Sequence, residues 1–215
     1  MYNTILFDLD GTLTDPGIGI TNSVAYALSK WNIQVADRSE LYKFIGPPLL
    51  DSFAEYYGFS EEDCQKALTY YREYFRSKGI YENEVYSGVV EMLETLKASG
   101  KKIVLATSKP EEFAIIILKH FDLFKYFDFV AGATLDETRT KKGDVIAYAL
   151  ESCGITDADL KNVIMVGDRK HDVHGAKENA LDCIGVLFGY GDREELENAG
   201  AKYIAEQVED ILKFI

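Results

Sequence analysis

The feature that most restricts the fold is a series of short apolar runs, most of which lack an alternating pattern. Such runs are typical of strands buried on both faces, as in a parallel sheet. Helix-like stretches lie between them, and alternating strands and helices predict an open α/β sheet with right-handed crossovers. The predicted strands are 4–7, 102–106, 127–130, 163–166 and 183–186, and the predicted helices are 88–99, 111–121, 142–152 and 172–179.

The segment 16–81 interrupts this alternation, because it contains no strand candidate. Its pattern predicts amphipathic helices at about 18–31, 49–57 and 61–78, with a short piece near Leu41; prolines and glycine separate them. We therefore predict three segments: a first part of the core at 1–15, a helical insert at 16–81, and the rest of the core at 82–215.

Charge and cysteine content argue against several classes of function. A formal net charge of −13, from 36 acidic and 23 basic residues, disfavours nucleic acid or an anionic membrane as the partner. Cys64, Cys153 and Cys183 form no CxxC pair, which fits a reducing compartment better than a disulfide framework or a zinc site. No signal-peptide pattern or membrane-length apolar run is present. We expect a cytoplasmic protein that binds a small molecule, as a monomer or homodimer.

Two aspartates follow the first predicted strand in the stretch FDLDGTLTD. Because residues i and i+2 of a strand point the same way, Asp8 and Asp10 share a face at the strand's carboxyl end, where open α/β sheets bind ligands. Two carboxylates there can hold a divalent cation, or act as nucleophile and acid/base. Gly11 permits an unusual turn, and the N–H groups that follow, from Thr12 onward, can surround an anion. A solvated turn is the alternative.

Two further strand ends place polar side chains at the same predicted edge. Thr107 and Ser108 lie in LATSKP, where their hydroxyls can hydrogen-bond phosphate oxygens or simply cap the next helix. Asp168 and Asp172 follow another strand in MVGDRKHD, as site carboxylates or as loop and cap residues. A lysine in TKKGDVI, at the start of a predicted helix, can supply a cation or lie on the surface.

Taken in order, these segments resemble the haloacid dehalogenase superfamily of hydrolases, of the type with a helical cap inserted after the first strand. The likeness covers essentially the whole chain, and DLDGT is its most specific motif. KFIGPPLLDSF in the insert and GVLFGYG late in the chain are similar to the phosphoglycolate phosphatase-like branch. The resemblance implies a Rossmann-like core with an inserted all-helical cap.

The resemblance also implies a role for each acid. Asp8 would attack phosphorus and form an aspartyl phosphate, while Asp10 would protonate the leaving group and then activate water. Mg²⁺ would be held by Asp8, the backbone carbonyl of Asp10 and Asp168. Asp172 would lie behind these ligands and orient a water or a neighbouring group.

The phosphoryl group would be held by hydroxyls and a lysine. Thr107, with Ser108 behind it, would bind the phosphoryl oxygens, and a lysine would neutralise the charge that Asp8 shares with the phosphate. The family lysine is commonly followed by proline, which KKGD lacks, so the register is open between Lys141 and Lys142. The distance to the downstream YAL favours Lys142.

The implied function is a Mg²⁺-dependent phosphatase for small phosphomonoesters, with phosphoglycolate as the namesake substrate of the branch. Asp10 favours this chemistry over dehalogenation, because an alkoxide leaving group needs a proton and a halide does not. The alternatives are a 5'-nucleotidase acting on nucleoside monophosphates, a phosphomutase, and a non-catalytic binding or regulatory protein. In the insert, Lys43, Phe44 and Gly46 either contact the leaving group or form only a turn between helices.

Overall fold

The computed structural model describes residues 2–215 and contains two compact units. One is a helical unit, Pro16–Glu84, and the other is a core that combines the chain up to Asp15 with Val85–Ile215. None of the helices within residues 2–215 combines the length and the apolar character needed to cross a bilayer.

The helical unit contains three α-helices and two 3₁₀ segments, Arg38–Phe44 and Gly79–Tyr81. Ser60 caps the third helix, because its hydroxyl accepts a hydrogen bond from the Asp63 amide at 3.2 Å. Gly58 ends the second in the left-handed conformation, at φ 64°. Aromatic rings fill the interior, where Phe44 and Phe53 pack edge to face. The helices are α1 (Gly17–Ser29), α2 (Leu49–Tyr57) and α3 (Glu61–Ser77).

The core is built on a six-stranded parallel sheet, which confirms the predicted α/β class. The strand order is β5-β4-β1-β6-β7-β8, and two short strands, β2 and β3, form a separate pair. In chain order the strands are β1 (Thr4–Phe7), β2 (Thr14–Asp15), β3 (Glu84–Val85), β4 (Lys102–Pro110), β5 (Phe129–Ala133), β6 (Val163–Gly167), β7 (Asp182–Val186) and β8 (Tyr203–Ala205).

The strand β1 occupies the middle of the sheet. Thr4 lies opposite Lys102 of β4 on one side and opposite Val163 of β6 on the other. Ile5 and Leu6 are both fully buried although successive side chains point to opposite faces, so both faces of the sheet are covered. The strand order reverses at β1, which places a ligand crevice at its carboxyl end.

Helices connect the strands and position the site. Each of the four helices predicted for the core is present, and the structure adds a fifth helix and the edge strand β8. The strand β5 begins two residues later than the predicted 127–130, and β4 continues beyond the predicted 102–106. The helices of the core are α4 (Val89–Ala98), α5 (Glu111–His120), α6 (Lys142–Ser152), α7 (Lys170–Glu178) and α8 (Arg193–Ala199).

Candidate active site

The site begins in the turn that follows β1. Leu9 O accepts hydrogen bonds from the amides of Leu13 at 2.9 Å and Thr14 at 3.0 Å, which reverses the chain within a few residues. Gly11 has φ +80°, and a Cβ there would also overlap the carboxylate of Asp168. This position therefore requires glycine both for its backbone conformation and for the space beside an acid.

Three buried aspartates meet at the carboxyl ends of β1 and β6. Asp8, Asp168 and Asp172 each offer an oxygen within 4.8 Å of the other two. Across residues 2–215, no other cluster of three or more acid, histidine or cysteine side chains reaches this spacing. Oxygen donors of this kind are the ligands that Mg²⁺ prefers.

Lys142, at the start of α6, lies among these carboxylates. Its Nζ is 2.8 Å from Asp8 Oδ1, 2.8 Å from Asp172 Oδ1 and 3.1 Å from the carbonyl oxygen of Ala106. Three oxygens match the three N–H donors of an ammonium group. The neighbouring Lys141 is exposed, so of the two lysines it is Lys142 that the fold brings to Asp8.

Two glycines bring α6 close to α7 and so place Lys142. A Cβ at Gly175 would lie 2.8 Å from both the amide nitrogen of Gly143 and Cγ of Lys142, which is closer than real Cβ atoms approach. The lysine stem thus runs through space that exists only because α7 has no side chain at this point.

Asp10 pairs with a different lysine, which the sequence analysis did not single out. Lys109 Nζ lies 2.8 Å from Asp10 Oδ2, and both residues are buried. Lys109 follows Thr107 by two residues at the end of β4, and its amide donates to the Thr107 hydroxyl at 3.2 Å. The spacing T-x-K was the signal in the sequence, because alternate residues of a strand point the same way. Ser108 between them is half-buried.

The loop after β7 holds Asp168 from the other side. The Tyr190 amide donates to Asp168 Oδ2 at 2.8 Å, and the Tyr190 hydroxyl donates to Asp15. A Cβ at Gly189 would overlap the carbonyl oxygen of Gly11 and the side chain of Asp168. In the sequence, GVLFGYG indicated only a likeness to one branch of the family, so this supporting role was missed.

Gly11 and Thr12 were predicted to contact the phosphate, and this role remains a prediction. Their amides donate within the turn, to Thr14 O at 2.8 Å and to Leu9 O at 3.3 Å. The Thr12 hydroxyl is buried and has no hydrogen-bond partner. The Thr14 hydroxyl of the same turn is also buried without a partner, so the turn's hydroxyls, and not these two amides, are unsatisfied.

The residues predicted to contact the leaving group belong to the helical unit. Phe44 is 1% exposed and packs against Phe53 and Tyr56, with ring centroids 5.1 and 5.5 Å apart. Lys43 is exposed, with its Nζ 4.4 Å from the centroid of the Tyr56 ring, and Gly46 has φ 104°. The burial of Phe44 supports a packing role for its ring.

The site carries an excess of negative charge. Four buried carboxylates face two buried ammonium groups, which leaves a formal excess of two negative charges. Burial raises the pKa of Asp10, which Lys109 lowers only in part. Burial, with the charges of Asp172 and Asp8, raises the pKa of Asp168 well above its usual range. In addition, Asp168 Oδ1 is buried without a hydrogen-bond partner.

The acid Asp172 predicts a pH-dependent stability of the metal-free protein. Burial raises its pKa to about 6, although Lys142 opposes this effect. Because the folded state then binds a proton more tightly than the unfolded state, the stabilisation is full below about pH 4 and is lost as the pH rises through about 6. In EDTA, we expect the difference in unfolding free energy between Asp172→Asn and wild type to change with pH. From pH 4 to pH 7 it should shift in favour of the variant by up to about 3 kcal/mol.

Denaturant unfolding at several pH values measures this difference. The exposed Asp157 offers a control, since Asp157→Asn makes the same chemical change outside the site and should show no such trend. A difference between Asp172→Asn and wild type that does not change with pH would contradict the assignment.

Comparisons with known proteins agree with this geometry. A family model described as haloacid dehalogenase-like hydrolase matches residues 5–186. A 5'-nucleotidase from Pseudomonas aeruginosa is 47% identical over 195 residues, which cover 91% of this chain and 87% of that protein. Phosphoglycolate phosphatase 1 from the same species is 27% identical over 215 residues, covering 97% of this chain and 78% of that protein.

A solved structure supports the same relationship over the full length. The crystal structure described as "a predicted phosphatase from Clostridium acetobutylicum" is 52% identical in sequence and superposes with a TM-score of 0.96. The match covers 100% of this chain and 98% of that one.

Proposed function

Because the chain belongs to the haloacid dehalogenase-like hydrolase family and is a phosphatase of that family, we propose that it hydrolyses small phosphomonoesters through an aspartyl phosphate on Asp8. The observation that carries this proposal is the pairing of a buried carboxylate with a buried ammonium group at the carboxyl end of the central strand. Asp8 is 4% exposed and Lys142 is 5% exposed, with 2.8 Å between their charged atoms.

Lys142 makes Asp8 able to react with an anion. A phosphate monoester and a carboxylate repel each other, and phosphoryl transfer depends mainly on positioning and on neutralising this charge. Burial lowers the pKa of Lys142, but the charges of Asp172 and Asp8 more than offset this effect and raise it above its usual value. The ammonium group therefore stays charged, and it holds one oxygen of Asp8 in place.

The residues fit a Mg²⁺ ion, which would neutralise the remaining charge and polarise the phosphoryl group. Asp8 and Asp168 would hold it together with the Asp10 carbonyl. The buried and unsatisfied Oδ1 of Asp168 supports this assignment. Asp172 is suited to an outer position, because its Oδ1 pairs with Lys142 and its Oδ2 accepts a hydrogen bond from the Arg169 amide at 3.1 Å.

Asp10 would move the protons. A raised pKa lets a carboxyl group donate a proton to the departing alkoxide and then accept one from the attacking water. Thr107 would bind the phosphoryl oxygens. Its hydroxyl accepts a hydrogen bond from the Lys109 amide and can still donate its own hydrogen to a phosphoryl oxygen. The part that Ser108 takes, and the contact of Lys43 or Gly46 with the leaving group, stay proposals from the sequence.

Among substrates, nucleoside monophosphates are the first candidates. The 5'-nucleotidase shares 47% identity with this chain, whereas phosphoglycolate phosphatase 1 shares 27%. Phosphoglycolate is the second candidate, on the sequence resemblance to that branch. Both are phosphomonoesters of an alcohol, so the same Asp8 and Asp10 chemistry serves either.

Phosphate release from a panel of compounds tests the proposal. The panel contains nucleoside 5'-monophosphates, phosphoglycolate, sugar phosphates and pyrophosphate, each with Mg²⁺ and with EDTA. We expect Mg²⁺-dependent release, greatest for a nucleoside monophosphate. A folded protein that releases phosphate from none of them would overturn the proposal, and equal release in EDTA would overturn the role of the metal.

A further inference from the structure

Lys109 is a buried cation that the proposed chemistry does not yet use. It is 8% exposed, and its side chain alone is 4% exposed. A buried ammonium group is costly unless it is paired. One such partner is the carboxylate of Asp10, whose Oδ2 lies 2.8 Å from Lys109 Nζ.

The end of β4 is shaped to present this lysine. The pairing of β4 with β5 shifts register between Ala106 and Pro110, which removes the intervening residues from the regular ladder. Within this irregular segment, the Lys109 amide donates to the Thr107 hydroxyl at 3.2 Å, which ties the two residues together. Both side chains are buried at the carboxyl end of the sheet, where Asp8 and Asp10 also lie.

The ion pair makes the two oxygens of Asp10 unequal. Oδ2 faces the ammonium group, whereas Oδ1 is buried without a hydrogen-bond partner. A proton on this carboxyl group is therefore favoured on Oδ1, since an ammonium group repels a proton on Oδ2. Rotation of the carboxylate would exchange the two oxygens only by breaking a buried ion pair.

We propose that Lys109 is a positioning residue that fixes the carboxyl group of Asp10 for proton transfer through Oδ1. The inference rests on the proposed function. In the first step, the proton leaves Oδ1 for the ester oxygen as the bond from that oxygen to phosphorus breaks and the Asp8–phosphorus bond forms. In the second, Oδ1 takes a proton from water as the water oxygen bonds to phosphorus and the Asp8–phosphorus bond breaks.

The alternative role of Lys109 is direct binding of the phosphoryl group. Substrates with different leaving groups distinguish the two roles. An alkoxide needs a proton as it departs, whereas p-nitrophenolate is stable without one. Loss of a positioning residue for Asp10 should therefore affect alkyl esters selectively. Loss of a phosphate contact should affect both kinds of ester, since both carry the same phosphoryl group.

The experiment measures kcat/KM for Lys109→Met with p-nitrophenyl phosphate and with the best alkyl phosphate of the panel. This parameter covers the steps up to release of the alcohol. We expect a loss of about 100-fold on the alkyl ester, within the usual contribution of acid–base catalysis, and less than about 3-fold on the aryl ester. The near-normal aryl activity also shows that the variant is folded, and Lys109→Gln replaces it if it is not.

A double-mutant cycle supplies the second readout. In an Asp10→Asn background, Lys109→Met should change the alkyl-ester rate by less than about 3-fold, because residues that act as one unit are not additive. Lys102→Met is the matched control and should leave all rates unchanged. It alters a lysine at the opposite end of β4, whose Nζ donates to the Cys153 carbonyl at 3.0 Å.

Three results would overturn the inference: equal losses on the two esters, full additivity with Asp10→Asn, or markedly weaker competitive inhibition by inorganic phosphate in Lys109→Met. Failure of the proposed function would look different. Wild type would then release no phosphate from either ester, or Asp10→Asn would lose nothing on the alkyl ester, and the inference would fall with it.

Discussion

Asp8→Asn is expected to lower kcat/KM for the best phosphomonoester by at least about 10³-fold, because an amide cannot take the place of the attacking carboxylate. Asparagine has nearly the same shape, and Lys142 keeps Asp172 as a partner at 2.8 Å. The fold should therefore survive. Phosphate release at saturating Mg²⁺ measures the loss, and acid-quenched protein incubated with labelled substrate should carry phosphate in wild type but not in the variant.

Asp157→Asn provides the matched control for this experiment. It removes the same charge from an exposed position and should keep wild-type activity. Phosphorylation of the Asp8→Asn protein, or activity within about 10-fold of wild type, would show that another residue is the nucleophile.

Lys142→Met is expected to damage both activity and stability. Methionine fills the space of the lysine stem but leaves Asp8 and Asp172 without their shared cation. Loss of one charge-stabilising donor costs about 10²- to 10³-fold in rate, and breaking a buried ion pair costs about 3 kcal/mol. The stability loss should shrink at pH 5, because Asp172, whose raised pKa is about 6, can then take up a proton in place of its lost partner.

The adjacent lysine, Lys141, provides a matched control for this prediction. Lys141→Met carries the same change one residue away, at an exposed position, and should leave rate and unfolding free energy near wild type. Unfolding curves in EDTA at pH 5 and pH 7 measure the second effect. Should Lys141→Met prove to be the damaging change, the register assigned to the phosphate lysine would be wrong.

The sequence was most informative where a local pattern is compatible with few structures. An apolar run followed by DLDGT predicts carboxylates at a strand end, and β1 and the turn after it lie where the pattern predicts. The parallel sheet was predictable for a similar reason, since buried strands such as VIMV lack alternation. Lysine is different, because most lysines are solvated, and only the T-x-K spacing separated Lys109 from surface lysines.

The elements that the sequence did not reveal have weak patterns of their own. The helix α8 buries only Leu196 and Ala199, so its apolar stripe is too short to stand out. The strand β8 has three residues at the edge of the sheet. The polar segment TSKP is typical of a loop, yet β4 includes it, because Pro110 pairs with Ala133 of β5 beyond the register shift. Tertiary contacts decide all three, and no local pattern contains them.

The central place of β1 has a consequence for how the chain reaches its native state. This strand is synthesised well before its partner strands, which contain Lys102 and Val163. At roughly 5–20 residues per second, the second partner appears roughly ten to thirty seconds after the strand itself. The helical unit closes on contacts within Pro16–Glu84 and can form meanwhile. The segment that carries the nucleophile therefore stays an unpaired apolar strand until the rest of the sheet has been synthesised. During this time it can bind chaperones or aggregate.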